Sequence, residues 1–416
     1  MEQRVLGGNG PKLSVVGLGC NNFGRRIDAA ASAAVVHAAL DAGITHFDTA
    51  EMYGDGKSEE FLGAALGSRR DEVVIATKFL PRPKEQPYTP GVLAARIREA
   101  AEGSLRRLGT DRIDLYYQHY PDAEAPTEEA LEALDELVRA GKVLHIASSN
   151  VSAEQIERSA VVSGDKGWPR FTGTQIEWSL LSRAVEESVV PAATAAGMGV
   201  IPYFPLASGL LTGKYRRDEA FPPGSRLATS GEQFAARFAN EANFAKVEAY
   251  EAFAAEHGHT VTELAIGWLL AQPSVASVIA GATRPEQIGA NAAPSGRCPP
   301  RSRPPSPSSD LSATTPAVAS FPRDGRRHPG SGLSAVNDAS PGPRGASANV
   351  PGQSTNRGWE GRRPRRRWTP GRWRPRRPLP DDCASPEKRG DCPLGPRRAP
   401  GERPRDRNPD AKREAP

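Results

Sequence analysis

The chain has 416 residues, 38% of them hydrophobic, which is ample for one large core and suits a closed eight-fold barrel with added segments. Its four cysteines sit in no zinc-binding spacing, and no run approaches the ~20 apolar residues of a membrane-spanning helix, so a zinc module, a disulfide-stapled scaffold and a membrane span are all excluded. The net charge of +5 divides unevenly: residues 294–416 carry 26 Lys+Arg against 12 Asp+Glu (+14), leaving 28 against 37 (−9) for residues 1–293, an acidic part that argues against nucleic-acid binding there.

At the amino end, Met1-Glu2-Gln3-Arg4 shows no apolar run with a cleavage site, so no secretory leader is read and a reducing, cytoplasmic setting is expected. Residues 4–6 and 12–14 flank Gly7-Gly8-Asn9-Gly10-Pro11, which predicts a β-hairpin. Residues 13–19 read as the first long strand. A helix over 29–42 follows and stops before Gly43. A short strand over 45–50 precedes a helix over 58–66, with Ser58 as its cap and Gly67 beyond its end. Residues 73–77 form a third strand, and 92–108 a long helix with apolar residues at every third or fourth position.

The rhythm then repeats: strand 113–118 with helix 127–140, strand 143–148 with a helix from Ala153, and strand 172–176 with helix 185–196. Strand 200–204 leads into a long loop and helices within 235–256 and 262–271; strand 275–280 is the eighth, and a helix opens near Arg284. Eight strand–helix repeats predict a parallel sheet with right-handed crossovers, and closing it removes its edges. The fold class expected is α/β, a (β/α)8 TIM barrel over residues 1–293, with the hairpin plugging one end. From Pro294 the pattern stops. Residues 294–416 hold 24 of the 39 prolines, and the expectation is a disordered Arg/Pro-rich tail. Its charge and Trp359, Trp368 and Trp373 raise nucleic-acid binding as a possibility, but a solvated tail without that role is the reading taken.

Four polar residues fall at the carboxyl ends of predicted strands two to four: Asp48, Tyr53, Lys78 and His119. That end of a (β/α)8 barrel carries the active site. A buried lysine needs a partner, and Asp48 on the neighbouring strand is the natural one. An ammonium beside a phenol is expected to lower its pKa toward general-acid use.

With these residues in place, the sequence resembles the aldo/keto reductase superfamily. Phe47-Asp48-Thr49-Ala50-Glu51-Met52-Tyr53-Gly54, continued by Gly56-Lys57-Ser58-Glu59, is similar to its Asp/Tyr signature, and Lys78 and Gln118-His119 fall at matching positions. The resemblance implies reduction of small carbonyl compounds by NADPH. Tyr53 would be the general acid, Lys78 and Asp48 its tuners, and His119 the group that orients the carbonyl. Ser149, Asn150 and Gln175 would hold the nicotinamide carboxamide, with Trp178 stacked on its ring. Phe204, Leu206, Gly209 and Lys214 belong to a stretch resembling the loop that closes over the pyrophosphate. Gly281, Thr283, Arg284, Gln287 and Asn291 resemble the adenosine-phosphate site, where a phosphate would meet a helix start and Arg284 would favour NADPH over NADH.

No metal and no membrane partner are expected. A barrel that holds NADPH with little or no turnover is the alternative. The resemblance ends near residue 293, ahead of the carboxyl-terminal loop of family members, which predicts a pocket short of one wall.

Overall fold

The computed structural model describes residues 1–296. The tail expected to be disordered lies outside the described residues, save that residues 294–296 complete a helical turn, Ala293–Gly296. The missing pocket wall likewise lies outside them.

The hairpin forms from β1 (Gln3–Val5) and β2 (Lys12–Ser14), paired antiparallel. Eight parallel strands follow: β3 (Val16–Gly19), β4 (His46–Asp48), β5 (Val74–Phe79), β6 (Ile113–Gln118), β7 (Val143–Ser149), β8 (Gly173–Glu177), β9 (Gly199–Tyr203) and β10 (Val278–Gly281). Their order is β10-β3-β4-β5-β6-β7-β8-β9. A bridge between Val200 and Val275 closes the seam, with Val200 N donating to Ser274 O at 2.8 Å and Ala276 N donating to Val200 O at 3.0 Å. The architecture is therefore a (β/α)8 barrel.

Helices α1 (Ala29–Asp41), α2 (Lys57–Leu66), α3 (Val92–Leu108), α4 (Thr127–Arg139), α5 (Ala153–Lys166) and α6 (Val189–Ala195) cover the strands in turn. After β9 come α7 (Arg226–Thr229), α8 (Glu232–Phe238), α9 (Glu241–Glu256) and α10 (Val261–Leu270), and α11 (Glu286–Ala292) follows β10. Local chemistry sets the starts: Asp28 caps α1, while Ser152 with Gln155 and Thr260 with Glu263 form capping boxes on α5 and α10. Helix α3 buries Leu93, Ile97, Ala100, Ala101 and Leu108, one stripe at helical spacing.

Three local expectations are corrected. The strand over 13–19 is two strands, because Ser14 Oγ donates to Val16 O at 2.7 Å and accepts from Thr45 N and His46 N, bending the chain at Val15. Ser58 does not cap α2. Its hydroxyl donates to Cys20 O at 2.9 Å, so the 2.8 Å contact with Thr49 must have Thr49 as donor. The helix over 185–196 is a turn, Ala184–Glu186, followed by α6, because Pro191 is tolerated only in a first turn.

The hairpin closes the floor. Leu6 and Leu13 are fully buried inside the barrel with Ala76, Leu115, Ala147, Ile201 and Ile279. Each such leucine contributes about 1.5–3 kcal/mol of burial. Gly7 takes φ +63°, and a Cβ there would lie 2.4 Å from Thr172 O, so only glycine permits the hairpin to seat against β8 and β9.

Candidate active site

Asp48 ends β4 and pairs in register with Ala76 on β5, two residues before Lys78. Period-two alternation therefore brings Lys78 inward in the layer above Ala76. Lys78 is fully buried, its Nζ lies 2.5 Å from Asp48 Oδ1, and it donates to Thr49 O at 2.7 Å. Those partners compensate an otherwise costly buried ammonium. From β8, Gln175 Nε2 donates to Asp48 Oδ2 at 2.8 Å.

Tyr53 opens the short turn Tyr53–Gly56 after β4, with Lys78 Nζ 5.2 Å from its ring centroid. His119, just past β6, meets Tyr53 edge-on at 6.1 Å and stacks on Tyr120 at 4.7 Å and 14°. The structure thus brings phenol, ammonium, carboxylate and imidazole together at the strands' carboxyl ends.

The electrostatics differ from expectation in one respect. The Tyr53 phenol is pushed up, not down, first by burial and then by the charge of Asp48. The lysine is already neutralised by the carboxylate at 2.5 Å, so the phenol meets a paired dipole rather than a lone cation. Tyr53 therefore keeps its proton at neutral pH. His119 is held well below the usual histidine range, by burial first and by Lys78 second, so its ring is neutral. Its Nδ1 is buried without a hydrogen-bond partner among the described residues.

Across the mouth, Ser149 Oγ donates to Gln175 O at 2.9 Å, and Asn150 Nδ2 donates to His119 O at 3.0 Å. Tyr203 closes β9 and its hydroxyl donates to Asn150 Oδ1 at 2.8 Å. Trp178 does not join this group, which corrects the placement expected for it. Its indole is buried outside the barrel, donating to Glu186 Oε1 at 3.0 Å and packing edge-on to Trp268 of α10 at 5.8 Å. On β8 the inward positions are Gly173, Gln175 and Glu177, so Trp178 has outward parity. Tyr203, in step with Gly199 and Ile201, has inward parity. That alternation was readable in the sequence and points to Tyr203 as the aromatic at the mouth.

The loop after β9 is strained. Phe204, Ala207 and Ser208 adopt φ of 53°, 44° and 58°, and Asn150 adopts 56°. Left-handed non-glycine residues cluster where binding sites over-determine the backbone. Ser208 is buried with its hydroxyl unpartnered among the described residues. Leu206 O accepts from Gly209 N at 2.8 Å, and Lys214 Nζ lies so close to Gly209 that a Cβ there would come within 2.9 Å of it.

The Phe204 ring packs on Phe238 at 5.8 Å and carries the Arg226 guanidinium 5.0 Å away. Sequence reasoning missed Arg226, which opens the four-residue helix α7, too short for any periodicity to show. It forms no ion pair among the described residues, and burial, then Arg26, lower its pKa. After β10, Gln287 Oε1 accepts from Thr283 N at 2.7 Å and from Arg284 N at 3.2 Å; Asn291 is buried and Arg284 exposed. Gly281 pairs with Gly19, next to Cys20, whose N donates to Asp48 O at 2.8 Å, which puts both groups on one rim. Among the described residues there is no acidic, His or Cys cluster fit for a metal, and no helix is long and apolar enough to cross a membrane.

Fold and mouth together define a barrel oxidoreductase that acts on carbonyl groups. The profile of the Aldo/keto reductase family matches residues 15–295. The chain is 36% identical over 296 residues to aldo-keto reductase YhdN of Bacillus subtilis (strain 168), covering 70% of this chain and 87% of that one. It is 32% identical over 302 residues to L-glyceraldehyde 3-phosphate reductase of Escherichia coli O157:H7, covering 70% and 86%. It is also 35% identical over 297 residues to a probable voltage-gated potassium channel subunit beta of Oryza sativa subsp. japonica, covering 70% and 90%. The chain belongs to the aldo/keto reductase family.

Proposed function

We propose that this protein reduces aldehydes or ketones to alcohols with NADPH, and that Tyr53 delivers the proton. The observation that carries this reading is the Tyr53 phenol beside the buried Lys78–Asp48 pair, with the His119 ring edge-on to it. The residues present suit the dinucleotide. Asn150 and Gln175 offer amide groups for a carboxamide, the strained turn at 204–209 and Lys214 suit a pyrophosphate, and Arg226 and Arg284 are cations that form no ion pair among the described residues. When bound, NADPH would supply the hydride.

The chain's own residues do the rest. His119, neutral, offers one N–H to the carbonyl oxygen and orients it. As the carbonyl carbon is reduced, its oxygen becomes basic and takes the Tyr53 proton. The Lys78 ammonium then stabilises the phenolate left behind, while Asp48 and Thr49 O keep that ammonium aimed. Tyr203 forms the aromatic wall opposite, in the role first expected of Trp178.

A second reading is a barrel that holds NADPH with little turnover, favoured by the likeness to channel beta subunits. Following NADPH oxidation with 4-nitrobenzaldehyde separates the two. Sustained turnover supports the reductase; quenching of tryptophan fluorescence by NADPH without turnover supports the second. A cytoplasmic setting is proposed with the first reading.

A further inference from the structure

Three loops meet at the mouth, and one short segment fastens them. The segment is residues 80–82, directly after β5, the strand that carries Lys78. On one side Leu80 N donates to Glu51 Oε1 at 2.7 Å, and Arg96 also binds that carboxylate. Glu51 N in turn donates to Lys78 O at 3.3 Å. Glu51 lies in the loop that leads to Tyr53, so this contact fixes the proton donor's loop to β5.

On the other side Arg82, 6% exposed, reaches into the loop after β6. Its Nε lies 3.2 Å from Asp122 Oδ2, its Nη2 donates to Glu124 Oε2 at 2.5 Å, and its Nη1 donates to Gln86 O. Asp122 Oδ1 meanwhile accepts from Glu124 N and Ala125 N, both at 3.0 Å. The Arg82–Asp122 pair is nearly dry, with side-chain exposures of 4% and 3%, and Arg82 Nε makes no hydrogen bond there, so this lock is an ion pair.

What the lock holds is the His119 ring. That ring makes no hydrogen bond through Nδ1, and it rests face to face on Tyr120 at 4.7 Å. Tyr120 is followed by Pro121 and then by Asp122 itself. The backbone of His119 is held by Phe79 O and Asn150, its ring rests on Tyr120, and Arg82 pins the turn that begins two residues beyond Tyr120.

We infer that Arg82 is a positioning residue: through Asp122 and Tyr120 it sets the orientation of His119 relative to Tyr53, and so the geometry in which the carbonyl is reduced. This rests on the reductase reading above. It requires no contact between Arg82 and substrate or cofactor.

The test compares the full-length wild type with Arg82→Met, Arg82→Lys and Asp122→Asn. For each, NADPH affinity is measured by fluorescence quenching, and kcat, KM and the primary isotope effect with C4-deuterated NADPH are measured on 4-nitrobenzaldehyde, with rates normalised to NADPH-binding sites. Arg82→Met should lower kcat by about ten- to a hundred-fold, raise KM and enlarge the isotope effect, with NADPH affinity within about two-fold of wild type. Arg82→Lys keeps a charge for Asp122 but cannot span all three acceptors, so it should recover part of the loss. It also serves should the methionine variant not fold. Asp122→Asn should follow Arg82→Lys.

A structural role alone would reduce the fraction of binding-competent protein and leave the per-site kcat, KM and isotope effect where they were. That result would overturn the inference while leaving the reductase reading standing. No turnover by the wild type would overturn both.

Discussion

The floor and the mouth of this barrel are built from the same strands, yet they obey opposite rules. Inward positions near the floor are Val74, Ala76, Leu115 and Ile201, packed on Leu6 and Leu13 of the hairpin. A few residues further along, the same strands turn polar: Lys78 on β5, His119 after β6 and Tyr203 on β9. The backbone divides in the same way. Among the described residues, the non-glycine positions with positive φ are Asp55, Asn150, Phe204, Ala207, Ser208 and Asp218, and each lies in a loop that follows a strand. The floor is where free energy is stored in apolar burial. The mouth is where it is spent, on the buried Lys78–Asp48 pair and on strained turns.

Breaking the mouth should cost both stability and activity. Lys78→Met strands the Asp48 carboxylate beside Gln175, and a loss of about 3–5 kcal/mol in denaturant unfolding is expected, with turnover abolished. Adding Asp48→Asn should restore much of the stability and none of the turnover. Stability that stays low in the double variant would contradict the pairing argument.

Breaking the floor should separate the two properties. Leu13→Ala leaves a cavity in the plug and should cost about 2–5 kcal/mol by chemical denaturation, while kcat per NADPH-binding site stays near that of the wild type. A matching fall in per-site kcat would show that floor and mouth are coupled.

At the level of the floor, in register with Val74, sits His46, fully buried, with its Nδ1 2.8 Å from Ser277 Oγ. Burial, the larger cause, lowers its pKa from 6.5 to about 4, and Lys78 adds to this against Asp48. The unfolded chain therefore takes up a proton near 6.5 that the folded protein resists down to about 4. The stability contributed above that window is lost as pH falls through it, an effect of about 3 kcal/mol. His46→Gln should flatten this part of the stability–pH curve between pH 7 and 4. An unchanged acid slope would place the titrating group elsewhere.

The smallest effect concerns the loop after β9. Arg226→Met removes the cation stacked on Phe204 and should weaken NADPH binding about ten-fold, equivalent to about 1.4 kcal/mol, without changing the melting temperature of the free protein. Unaltered affinity would show that Arg226 faces away from the dinucleotide.

The same contrast explains what could be read from the sequence. Alternating strands and helices of ordinary length made the barrel legible, and the Asp48–Tyr53 spacing with Lys78 and His119 at strand ends marked where the polar group would gather. The phenol's electrostatics were not legible, because their sign depends on how closely Asp48 neutralises Lys78, which is a distance and not a pattern. Trp178 misled because an aromatic beside a strand end looks equally suited to core and site until strand parity is counted. Arg226 and Phe204 came together only through tertiary contact, in a stretch where no period links them.

In the proposed reaction the Tyr53 proton, delivered beside Lys78 and His119, completes carbonyl reduction. Single-turnover oxidation of bound NADPH by saturating 4-nitrobenzaldehyde, comparing wild type with Tyr53→Phe, tests it most directly. Equal NADPH affinity in the two proteins and a rate about 10²–10⁴-fold slower without the hydroxyl are expected. Equal rates per bound NADPH would contradict it.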